Sequence, residues 1–80
     1  MDDQDIKQQI DDLAREEHEL FDKESRAQAT EGDRERLKHI EVTLDQCWDL
    51  LRQRRARKDA GLDPDEASIR DPETVEGYLG

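Results

Sequence analysis

Apolar side chains recur at alternating steps of four and three along two stretches of this chain, and that spacing leaves few folds open. In the first stretch they stand at Ile6, Ile10, Leu13, Leu20 and Ala27, with Glu17 and Glu24 in the two remaining seam positions. In the second they stand at Leu37, Ile40, Leu44, Cys47 and Leu51, after which Arg54 and Lys58 take over the seam. A repeat of this kind marks one narrow stripe of an α-helix, which is buried by packing against another helix. Only 31% of the residues are apolar and 45% are charged, a composition shared with disordered chains. The periodicity decides for helices, and the fold class expected is all-α.

Between the two stretches, "AQATEGDRE" holds Thr30 and Asp33 at the three-residue spacing of a capping box, with Gly32 to relax the turn. Gly61 after "RARKDA" is a C-terminal stop, and Pro64 follows closely. These signals predict a helical hairpin over residues 1–60, with helix 1 over about 3–28 and helix 2 over about 32–60. Residues 61–80 form a C-terminal tail. The connector is short, so the helices fold back antiparallel. Asp2, Asp3 and Asp5 then fall level with Arg55, Arg57 and Lys58, and Glu24 falls level with Arg36. Glu17 has no such partner, which makes it either a residue that fixes register or one that reaches water.

With Leu13 and Cys47 at heptad position d, Ala14, Phe21 and Trp48 all fall at e, widening the apolar stripe on one flank. Eighty residues supply only a small core, which calls for a partner. The hairpin is therefore expected to dimerise into a four-helix bundle, with Phe21, Trp48, Leu51 and Tyr78 as the interface candidates. The tail carries two Asp-Pro steps, Asp63-Pro64 and Asp71-Pro72, each suited to open a short helical turn. Its apolar residues, Leu62, Ile69, Val75, Tyr78 and Leu79, suit a strap laid on the exposed flank of its own hairpin or of a second chain.

Charge restricts the partners. With 23 acidic and 13 basic residues the net charge is −10, which repels phosphate and anionic lipid over the molecule as a whole. The basic run Arg52, Arg54, Arg55, Arg57 and Lys58 is the one local exception, and it follows the apolar stripe instead of preceding a zipper as a DNA-reading basic region does. Nucleic acid is thus a disfavoured partner. A lone cysteine makes no internal disulfide, and Cys47 at a seam position reads as a small buried hydrophobe. No signal peptide or membrane span is present in the pattern, and a cytoplasmic location is expected. His18 and His39 have Arg15 and Arg36 three residues before them, where a carboxylate-bridged metal site requires glutamate. No catalytic, cofactor-binding or metal-binding motif emerges, so the chain reads as a non-enzyme without a cofactor.

The segments "EEHELFDKE", "LDQCWDLLRQRRARKDAGLDPDEA" and "VEGYLG" together resemble domain-of-unknown-function family 2630, short acidic helical proteins found chiefly in actinobacteria. The resemblance covers nearly the whole chain and implies a small intracellular helical protein. It implies no activity, substrate or cofactor. The function expected from the residues is a self-associating protein-interaction module. The alternatives are an adaptor docking on an unidentified larger protein through its tail, or a weak nucleic-acid binder through the Arg52 to Lys58 run.

Overall fold

The computed structural model of the chain describes the backbone of residues 2–79 and the side chains of residues 2–75. Two long helices, α1 (Asp3–Ser25) and α2 (Glu31–Asp59), pack against each other as a hairpin. A 3-10 turn (Pro64–Glu66) and a short helix α3 (Pro72–Leu79) then run back along α2. The fold is all-α, with no strand among the described residues, in an elongated body of 50 × 25 × 15 Å.

Local chemistry sets each helix start. Asp2 caps α1 through a reciprocal box, in which Asp5 N–H donates to Asp2 Oδ1 (2.9 Å) and Asp2 N–H donates to Asp5 Oδ2 (3.3 Å). Thr30 and Asp33 form the box expected of them at the start of α2 (3.1 and 3.0 Å). Each box satisfies two backbone donors that a helix start leaves without carbonyl partners. Both Asp-Pro steps also act as read: Asp63 accepts from Asp65 N–H and Asp71 from Thr74 N–H (2.9 Å each).

The helix ends are less regular. After α2 the chain closes through Gly61 at φ 74°, with Gly61 N–H donating to Lys58 O and Leu62 N–H to Arg57 O, the pair of bonds that stops a helix in a left-handed residue. The same pair ends α1, where Ala27 N–H donates to Glu24 O and Gln28 N–H to Lys23 O. Here the left-handed residue is Ala27, at φ 57°. Helix 1 therefore stops at Ser25 instead of continuing to about 28, and Ala27 lies exposed in the turn, outside the seam. Gly32, expected to relax the turn, lies inside the first turn of α2.

Two clusters make the core. Leu20, Leu37 and Ile40 pack at the closed end of the hairpin, with Leu13 and Leu44 against them. Ile6, Ile10, Cys47 and Leu50 pack at the open end, joined by Leu44, Leu51 and Ala67. Leu50 falls outside the heptad seam yet is buried, in the cluster against which Ala67 of the returning tail packs. Val75 is fully buried as well, so the tail contributes to the core as the hairpin does. Burial of each such side chain contributes about 2 kcal/mol.

The inter-helix ion pairs differ from the expected set. Arg36 reaches Glu16 through two hydrogen bonds, Nε to Oε2 (2.5 Å) and Nη2 to Oε1 (2.9 Å), while Glu24 lies 4.0 Å from Arg34. Glu17 is half-buried at the edge of the seam. No helix among the described residues is long and apolar enough to cross a membrane.

Candidate functional site

Helix α2 presents three surfaces, and what covers each of them defines the site. One faces α1 through Ile40, Leu44, Cys47 and Leu51. A second carries Gln46, Asp49, Leu50, Gln53, Arg54 and Arg57, and the tail lies on it. Gln46 Nε2 donates to Arg70 O (3.1 Å) and Gln53 Nε2 to Ser68 O (2.8 Å). Asp49, 3% exposed, accepts from Arg70 Nε (3.0 Å) and from Gln53 Nε2 (2.9 Å) through the same oxygen. A carboxylate buried so deeply is tolerated because both bonds, one of them charge-assisted, replace its water.

Arg54 joins this tail surface to α1. Its Nε donates to Asp3 Oδ1 (2.5 Å), and its Nη1 donates to Pro64 O (3.2 Å) and Asp65 Oδ1 (3.0 Å). Lys58 Nζ takes the other Asp3 oxygen at 2.8 Å. Held first by Lys58 and then by Arg54, the Asp3 carboxyl is lowered to about 2. Arg57 turns to the tail, donating to Asp63 O (2.6 Å) and Glu66 Oε2 (2.5 Å). The acid-to-base complement across the hairpin is therefore narrower than the sequence suggested: Asp3 alone makes it, to Arg54 and Lys58. Asp2 and Asp5 serve the α1 cap, and Arg55 is exposed.

The third surface of α2 is bare. Trp48 stands on it 51% exposed, with Leu51 half-buried at its edge. Lys7 and Asp3 of α1 and Arg52, Arg55, Lys58 and Asp59 of α2 line a shallow open hollow around these two. Among the described residues the tail does not cover this flank, since its anchors go to the opposite side of α2. Among the described residues of the hairpin, Phe21, 45% exposed, is the other large apolar side chain left open. Leu20 beside it packs with Leu37 and Ile40, whereas Cys47 beside Trp48 packs with Ile6 and Ile10. Phe21 and Trp48 are thus separated by about 15 Å along the hairpin, from the rise of 1.5 Å per helical residue, and do not form one patch. Leu62 and Ile69 of the tail are also exposed. The side chains of Tyr78 and Leu79 lie outside the described residues.

Cys47 is 3% exposed, and burial raises the pKa of its thiol. Both histidines are exposed on the outer faces of their helices. Of the five basic residues in the run, three hold carboxylates of this chain: Arg54, Arg57 and Lys58. Arg52 and Arg55 remain on the Trp48 flank without an intrachain ion pair among the described residues. Periodicity missed Asp49 and the division of labour within the basic run. Their partners lie in the tail, at sequence separations that carry no local signal.

The model of the family described as protein of unknown function (DUF2630) matches residues 2–80. Relatives from Mycobacterium tuberculosis and Mycobacterium bovis, each described as an uncharacterised protein, are 48% identical over 77 residues. The match covers 89% of this chain and 83% of theirs. No solved structure matches.

Proposed function

We propose, for a chain that belongs to the DUF2630 family, that it serves as a non-enzymatic protein-interaction module that self-associates through the bare flank of α2. The observation that carries this is Trp48, half exposed beside Leu51 on a long surface of α2 that, among the described residues, neither α1 nor the tail covers. A tryptophan held on a rigid helix with charged side chains around it offers a large apolar contact at little entropic cost, as interface anchors do. The small core of a hairpin this size supports the same reading, because association adds burial that the monomer lacks.

Neither alternative gains from the contacts made. An adaptor that docks through its tail would have to free Val75 and Ala67 from the core and Asp65 from Arg54. A nucleic-acid binder would rely on Arg52 and Arg55, since the other three cations of the run are engaged with carboxylates. Sedimentation equilibrium in reducing buffer over a wide concentration range tests the proposal. A reversible dimer that Trp48→Ala weakens supports it. A monomer at every concentration, or an unchanged dimer in Trp48→Ala, overturns it.

A further inference from the structure

The bare surface of α2 has an order to its charges. Glu41, Asp45, Trp48, Arg52 and Arg55 follow one another at steps of four, three, four and three residues, which places them in one stripe along the helix. The stripe is acidic before Trp48 and basic after it. All five are exposed except Asp45, which is half-buried, and the four charged residues make no ion pair or side-chain hydrogen bond among the described residues. Most other charges on α2 are used within the chain: Arg34 and Arg36 on α1, Asp49 on Arg70, and Arg54, Arg57 and Lys58 on Asp3 or the tail.

From this we infer that the partner on the flank is a second copy of the chain, laid antiparallel so that a two-fold axis passes through Trp48. This rests on the self-association proposed above and specifies its geometry. Charges that reverse about a centre complement themselves only when the second copy is turned end for end. Glu41 then falls level with the partner's Arg55, Asp45 falls level with the partner's Arg52, and the two Trp48 rings meet at the axis. Each pairing recurs by symmetry, as an isologous contact requires. A parallel copy would set acid on acid and base on base. An anionic partner drawn to Arg52 and Arg55 would be repelled by Glu41 and Asp45 on the same stripe. For a chain of net charge −10, a stripe of two acids and two bases is also where two copies approach with the least repulsion.

Charge reversal tests the geometry. The double variant Arg52→Glu/Arg55→Glu makes the stripe wholly acidic, and Glu41→Arg/Asp45→Arg makes it wholly basic. Each is expected to weaken the dimer by at least about a hundredfold, because four facing pairs turn repulsive. Mixing the two variants restores a dimer, now of unlike chains. The quadruple variant carrying all four changes in one chain has the reversed order and dimerises again with itself. Glu41, Arg52 and Arg55 are exposed and Asp45 is half-buried, none with an ion pair or side-chain hydrogen bond among the described residues, and helical circular dichroism checks that each variant is folded. Rising salt weakens the wild-type dimer, and its tryptophan emission shifts to the blue on association. Dimers that persist in both double variants, or a quadruple variant that stays monomeric, overturn the antiparallel contact while leaving self-association standing. A wild-type chain that never dimerises overturns both.

Discussion

The end of α1 offers a test in which the sign of the effect separates two structures. The sequence pattern carries helix 1 to about residue 28 with Ala27 in the seam, whereas the fold ends the helix at Ser25 and sets Ala27 at φ 57°. A left-handed residue with a Cβ costs about 1–2 kcal/mol, and part of that is recovered because glycine makes the unfolded chain more flexible by about 0.4–1 kcal/mol. Ala27→Gly is therefore expected to stabilise the protein by about 0.5–1 kcal/mol. Unfolding entropy near 2.1 cal/mol/K per residue makes this a rise of about 3–6 °C in Tm for a chain of this length. Gly61→Ala is the converse experiment. Gly61 sits at φ 74°, and a Cβ there meets nothing within 4 Å, so its cost is conformational alone and, by the same balance, about 0.5–1 kcal/mol or about 3–6 °C downward. Thermal melts followed by circular dichroism, at one protein concentration because association shifts Tm, read both changes. A lower Tm for Ala27→Gly would refute the turn, since glycine inside a continuing helix destabilises by up to about 1 kcal/mol.

Three other outcomes follow from the packing and the charges. Val75→Ala removes two methyl groups from a fully buried site and is expected to cost about 2 kcal/mol; an unchanged Tm would show that the tail folds separately from the hairpin. The Asp3 carboxyl, at about 2 when folded against about 3.9 when unfolded, contributes stability that is complete above pH ~4 and is lost as the pH falls towards ~2. Acid unfolding followed by circular dichroism should therefore lose part of its steepness in that window in Asp3→Asn, and identical profiles would contradict the clamp by Lys58 and Arg54. Cys47, buried with its thiol pKa raised, should react slowly with a thiol-specific disulfide reagent until denaturant is added; prompt reaction in the native protein would place it at the surface.

Much of the hairpin was legible because the forces that make it are local or periodic. Heptad spacing located both long helices, the Thr30 and Asp33 box fixed the start of α2, and Gly61 its end. The Asp-Pro steps marked the two short helical turns of the tail. What could not be read was which flank the tail would take. The decision lies with Arg54, a seam residue by its spacing, whose guanidinium is buried against Asp3 on one side and Asp65 and Pro64 on the other. A pattern of apolar positions records that Arg54 interrupts the stripe but not that it recruits residues ten and more positions away. The end of α1 was missed for a related reason: Ala27 has helical propensity, and only the two backbone bonds of the turn reveal that it is left-handed.

That choice of flank also shapes the candidate site. A narrow heptad stripe makes two-sided contacts, and a tail laid over Trp48 would have completed the monomer and left Leu50, Asp49 and Gln53 bare. With the tail on the opposite side, Leu50 becomes core and Asp49 finds Arg70. Trp48 then remains in the open with the cations that the tail does not use. The basic run is thereby split by the periodicity of the helix: Arg54, Arg57 and Lys58 hold the chain's own carboxylates, while Arg52 and Arg55 face outward one helical turn apart. Cations that hold the fold are not free to bind a partner, so the interaction chemistry of the run reduces to two arginines, one tryptophan and the acids that precede them. That set is neutral in sum and opposite at its two ends, which favours a partner bearing the same stripe in the reverse direction over any polyanion.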